Sequence, residues 1–169
     1  MRILAMDPSL SCIGWALMET GEDELRHLEW VSSWGKAEPT GTTFDDKLAS
    51  AGAIAERVLR GASADILAVE MPVVYRNPQT TIKLAQVVGV VRWAAHHWVD
   101  RVIEIQPGGR LAALGLPVRL KRPIAKELVI NVVNNLYKRT FTMEDHDIAD
   151  AVAVGHAALA ELRKEQWGR

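Results

Sequence analysis

Cysteine is almost missing from this chain of 169 residues: Cys12 stands alone, which excludes an intrachain disulfide and a zinc–thiolate cluster. Long apolar runs are missing as well. None reaches the roughly 18 residues that a membrane-spanning helix needs, so no membrane partner is expected. The opening MRILAMD meets an aspartate at position 7 and lacks the small-residue cleavage site of a secretory signal. A reducing cytoplasm is therefore the expected setting. Internal repeats and low-complexity linkers are absent, and the length suits one domain spanning 1–169 with a sizeable core. Neither sign of charge is in excess. Twenty Lys plus Arg against 21 Asp plus Glu leave a net charge of −1, without the basic surplus usual in nucleic-acid binders.

The charge that is present is unevenly spread. Arg119, Lys121, Arg122 and Lys126 fall within eight positions, while acids gather between Glu19 and Glu29 and between Glu144 and Asp150. Such a basic run is either a solvated face or a phosphate-contacting one.

Residues 2–6 read as a buried strand ending at Asp7, residues 13–18 as a second, and Leu25 to Trp34 as a third. The turn residues Pro8-Ser9 and Gly21-Glu22-Asp23 between them predict an antiparallel meander. Phe44, Leu48, Ala51, Ala55 and Leu59 recur at helical spacing, with Gly61 as the expected stop. The short apolar run Ile66 to Val69 reads as a central parallel strand ending at Glu70. Asn77-Pro78 opens a helix expected to reach about His97, and Val102 to Ile105 forms another strand. Pro123 starts a helix with Ile124, Leu128, Val132 and Leu136 on one stripe. A last helix runs from about Glu144, with Ile148, Ala151, Val152 and Leu159 facing inward. This order predicts an α/β fold, a mixed five-stranded sheet with an antiparallel hairpin at its edge and parallel strands at its centre, flanked by helices.

In such sheets, sites form outside the carboxyl ends of the strands, where Asp7 and Glu70 are expected. Asp147 and Asp150, three apart at the start of the last helix, project from one face. Four converging carboxylates need a cation, since two like charges about 4 Å apart repel by around 4 kcal/mol at an effective dielectric near 20. Oxygen donors of this kind suit Mg²⁺ or Mn²⁺ rather than zinc. Two such ions would activate water and stabilise the leaving oxygen in hydrolysis of a phosphodiester. Blander readings stand beside this one. Asp7 before Pro-Ser is also a turn former, and Asp145 or Asp147 also suits a helix N-terminus. Glu70, ending a buried strand, needs a partner in either case.

Three stretches resemble RuvC-type Holliday-junction resolvases. RILAMDPSLSCIGWAL is similar to that family's first strand and hairpin, LAVEMPVVYRNPQTTIKLAQVVGVV to its second acidic motif and following helix, and DHDIADAVAVGHAAL to its last motif. The resemblance implies an RNase H-like fold and a homodimer. It also implies paired, symmetric nicks in four-way DNA junctions, made with two Mg²⁺ ions per active site (Mn²⁺ substituting) and with a branch-migration motor as a possible partner. By position it makes Asp7, Glu70, Asp147 and Asp150 the catalytic, metal-binding acids. Asp145 is a rival to Asp147, and His146 is a further candidate near the metal or a solvent-facing helix residue. Tyr75, Arg76, Lys83, Arg110, Arg119, Lys121, Arg122 and Lys126 are the expected DNA contacts. Arg110 falls where the family often has lysine, and Lys126 where it has a basic residue near the phosphates. Val73 stands where an aromatic often opens the junction's base stack, so Tyr75 is the candidate to replace it.

Ala85 and Gly89, four apart, suit either a dimer seam or core packing, while the tryptophans are mostly core or interface candidates, with burial of Trp93 and Trp98 favoured over stacking on nucleic acid. Within the same fold the substrate is alternatively a fork, a flap or structured RNA. A non-catalytic junction-binding protein is a remoter alternative. Asp7-Pro8-Ser9 with Ser11 and Gly14 faintly resembles the phosphate loop of actin-like sugar kinases, but the second domain and glycine-rich motif of that fold are missing.

Overall fold

The computed structural model describes residues 1–21, 28–72, 74 and 77–168. Five strands form one sheet: β1 (Arg2–Pro8), β2 (Ile13–Thr20), β3 (Leu28–Ala37), β4 (Ile66–Glu70) and β5 (Arg101–Ile105). Their spatial order is β3-β2-β1-β4-β5. The β1–β2 and β2–β3 pairs are antiparallel, whereas β1–β4 and β4–β5 are parallel. The expected mixed sheet is therefore present, with β1 at its centre.

Side-chain alternation decides what each face of the sheet carries. Leu4 and Met6 of β1, with Leu67 and Val69 of β4, pack under α1 (Phe44–Ala62) and α2 (Pro78–Ala95). Ile3, Ala5, Ile66 and Ala68 face the other way, against α5 (His146–Trp167). The same alternation carries Asp7 and Glu70 onto the α5 face. On that face lie also α3 (Pro107–Ala113) and α4 (Arg122–Tyr137), whose Leu111, Val129, Ile130 and Val133 join Ile148, Ala151 and Val152 of α5 in one buried cluster. α5 lies close on the sheet because Gly155 has no side chain, as a β-carbon there would overlap the Met18 sulfur.

Local signals explain most boundaries. Thr43 and Asp46 close a capping box at the start of α1. The Asn77 side chain accepts from the Gln79 N–H, and Pro78 follows at the first turn of α2. The structure departs from several expectations. α1 runs through Gly61 to bury Ala62, and Ser63, in the left-handed region at φ 47°, ends it. β3 extends past its expected end at Trp34 to Ala37, and residues 25–27 of its expected start lie outside the described residues. The buried stripe of α4 is Val129, Ile130 and Val133, while Ile124 and Leu136 are exposed. This helix has apolar residues on two faces, so periodicity alone did not choose between them. Trp93 is exposed, because α2 buries the opposite face through Val87, Val88 and Val91, and Trp98, beyond the end of α2, is exposed as well, so the favoured burial is not met. Finally, α3 was not foreseen at all. Its Pro-Gly-Gly start resembles a loop.

A buried chain of hydrogen bonds joins three of these helices. The Tyr137 hydroxyl of α4 lies 2.6 Å from Nδ1 of His156 in α5, and the same imidazole hydrogen-bonds the Ala113 backbone of α3. This steadies α3, the helix that carries Arg110. No helix among the described residues is long and apolar enough to cross a membrane.

Candidate active site

Three of the four expected acids meet where β1, β4 and α5 come together. Asp150 is 5% exposed, and Asp7 and Glu70 are half-buried at their strand ends. Arg110 reaches into the cluster from α3. Its Nε lies 2.7 Å from Glu70 Oε1, and its Nη1 donates to Asp150 Oδ1. The Nε–Oε1 pair is close but lacks hydrogen-bond alignment, which leaves two buried polar atoms without a proper partner. They are held together by charge.

The electrostatics follow from burial and crowding. Burial pushes the Asp7 carboxyl well above its ordinary range, the Glu70 and Asp150 carboxylates push it further, and Arg110 offsets only part. Burial raises Glu70 as well, against the pull of Arg110 and a hydrogen bond from Asp7. Burial works against the Arg110 charge, but Asp150, Glu70 and Asp7 together raise its pKa. Three carboxylates facing one guanidinium leave a surplus of negative charge, and these hard oxygen donors match a divalent cation of the Mg²⁺ type. Among the described residues no group of three His, Cys, Asp or Glu side chains is already converged to hold one ion.

Asp147 stands beside this trio rather than within it. Its carbonyl packs on Gly14, the cross-strand partner of Asp7, where any β-carbon would overlap it. Its carboxylate has His146 Nδ1 at 3.0 Å and takes a hydrogen bond from the Cys12 thiol. Burial, and then this carboxylate, raise the thiol to about 12. Asp145 is engaged elsewhere: its side chain accepts from Thr142 N–H and hydroxyl in a capping box ahead of α5. Of the two rivals, Asp145 is committed to this capping box, whereas Asp147 contacts His146 and Cys12.

The basic residues are more scattered. Arg119, Lys121 and Arg122 are exposed around the N-terminus of α4, whereas half-buried Lys126 contacts His146. Lys83 projects from α2 over the Phe44 ring at 5.4 Å. Arg110, expected among the DNA contacts, is largely enclosed, with a side chain 16% exposed. Val73, Tyr75 and Arg76 lie outside the described residues. Sequence reasoning missed Cys12 as a neighbour of Asp147. Its place in the β1–β2 turn, opposite the last motif, becomes informative only once α5 is docked.

The family model described as crossover junction endodeoxyribonuclease RuvC matches residues 3–157. The chain belongs to the RuvC family. RuvC of Rhodospirillum rubrum is 30% identical over 161 residues, covering 91% of this chain and 86% of the relative. RuvC of Sphingopyxis alaskensis is 34% identical over a shorter stretch, about half of either protein (54% of this chain, 56% of the relative). In three dimensions the fold resembles Thermus thermophilus RuvC in complex with Holliday junction substrate, with a TM-score of 0.76 at 19% identity over 96% of both chains. It also resembles fowlpox virus resolvase with its Holliday junction DNA, at a TM-score of 0.63 and 14% identity over 96% and 99% of the two chains. The RNase H-like fold and the crossover junction endodeoxyribonuclease class expected from the motifs are thus both met. It is a crossover junction endodeoxyribonuclease of a metal-dependent nuclease family.

Proposed function

We propose that this RuvC protein resolves four-way DNA junctions by paired symmetric nicks, with Asp7, Glu70, Asp147 and Asp150 holding two Mg²⁺ ions per active site. The observation that carries the reading is the gathering of Asp7, Glu70 and Asp150 on one face of the sheet with a surplus of negative charge. When bound, the ions supply a lowered pKa for the attacking water and charge stabilisation for the leaving 3′ oxygen. The chain's own part is to present oxygen donors from three rigid elements, β1, β4 and α5, so that little reorganisation is left to the reaction. Arg110 must release at least one of its two carboxylates for them to converge on an ion. Freed, its guanidinium remains a charged partner for a phosphate oxygen.

Arg119, Lys121 and Arg122 crowd the positive end of the α4 dipole, an arrangement that favours a phosphate there. With Lys83, Lys126, Tyr75 and Arg76 they complete the proposed DNA contacts. We expect the pure protein to nick a four-way junction in Mg²⁺ and not in EDTA, and a fork and a structured RNA much less. Equal cutting of the three substrates would overturn junction selectivity, and cutting in EDTA would overturn the metal chemistry.

The reading includes a homodimer, because two symmetric nicks need two sites. Its support is the outer face of α2, where Ile82, Ala85, Gly89 and Trp93 are all exposed at helical spacing. Trp93 is 73% exposed, and nothing lies near where a Gly89 β-carbon would sit. Trp93→Glu is therefore expected to shift the protein to monomer in light scattering and to uncouple the two nicks on one junction. A dimer of unchanged mass would place the seam elsewhere. Cytoplasmic action beside a branch-migrating motor belongs to the same proposal.

A further inference from the structure

We propose that His146 is a positioning residue that ties the basic helix α4 to the Asp147 carboxylate, an inference resting on the reading of Asp147 as a metal-holding acid. Lys126 Nζ lies 2.8 Å from His146 Nε2. A lysine ammonium only donates, so Nε2 accepts and the neutral ring carries its hydrogen on Nδ1. Nδ1 is buried, has no aligned hydrogen-bond partner among the described residues, and faces Asp147 Oδ1 at 3.0 Å. His146 and Asp147 are only 27% and 22% exposed, so solvent screens their contact incompletely.

The consequence is a fixed carboxylate. The Asp147 side chain at the first turn of α5 would otherwise sample several rotamers, and ordering it on ion binding costs free energy. The imidazole N–H on one side and the Cys12 thiol on the other narrow that choice beforehand. Lys126 in turn orients the imidazole, as outer partners orient metal-facing groups generally. Lys126 also belongs to the same helix end as Arg119, Lys121 and Arg122. A DNA phosphate drawn to Lys126 therefore acts on the same ring that orients Asp147.

The test is calorimetric titration of Mn²⁺ into the full chain without DNA, beside junction binding in EDTA and steady-state cleavage. His146→Ala is expected to weaken Mn²⁺ binding about tenfold and to lower kcat, with KM and junction affinity little changed. His146→Asn places an amide donor where Nδ1–H was and should recover most of the metal affinity. His146→Gln reaches toward Lys126 instead and should not. Equal losses in all three variants, or unchanged Mn²⁺ affinity in His146→Ala while Asp147→Asn is impaired, would overturn the relay and leave the acidic site standing. Unchanged Mn²⁺ affinity in Asp147→Asn would remove the site reading and the relay together.

Discussion

Asp7→Asn is expected to bind a four-way junction as tightly as the parent and to nick it at least about a thousandfold more slowly in Mg²⁺, a barrier rise of about 4 kcal/mol. The size follows from the position. Asp7 ends the central strand, and its carboxyl lies against both Glu70 and Asp150. Replacing it with a neutral amide of the same shape keeps the packing and removes an anionic oxygen donor. Folding should not suffer. The parent carboxyl is raised by burial and by like charges, so Asn relieves a strain and the melting temperature should hold or rise. Slow cleavage with intact binding and stability isolates the chemical step. Undiminished cutting by Asp7→Asn would remove Asp7 from catalysis.

Arg110→Met should have the largest effect on stability, a loss of about 3–5 kcal/mol measured by urea unfolding without divalent ions. The guanidinium is the partner of both Glu70 and Asp150. Removing it strands two enclosed carboxylates beside a third, while methionine fills much of the space. Saturating Mn²⁺ should restore part of the loss, since an ion that binds only the folded state stabilises it by mass action. A loss below about 1 kcal/mol would mean that the pair behaves like an ordinary surface ion pair. The absence of Mn²⁺ rescue would argue that the carboxylates do not hold a cation.

Much of this was legible in the sequence, and the reasons are specific. The sheet was readable because β1 and β4 run apolar up to the acids Asp7 and Glu70, and turn residues such as Pro8-Ser9 part β1 from β2. The capping signals at Thr43 and Asn77 are local and were realised locally. What escaped depends on docking. The inward face of α4 is chosen by its contact with α5, and two apolar faces left the spacing ambiguous. The enclosure of Arg110 depends on α3, whose Pro-Gly-Gly opening concealed a helix. Asp145 and Asp147 sit too close in sequence for spacing to separate them. Their different partners, Thr142 for Asp145 and His146 for Asp147, become visible only in the folded chain. The exposure of Trp93 likewise follows from which side of α2 meets the sheet.

The placement of α5 bears on the order in which the protein comes into being. This helix covers β1 and β2, closes two of the buried clusters, and brings Asp150 to Asp7 from the far side of the sequence. A ribosome completes all five strands before it makes α5. Until then Ile3, Ala5, Ile66 and Ala68 have no cover, and the pairing of β1 with β4 must wait for chain far downstream. The nascent protein is thus exposed to aggregation during synthesis. On the proposed reading it also cannot cut DNA at that stage, because Asp147 and Asp150 arrive only with α5.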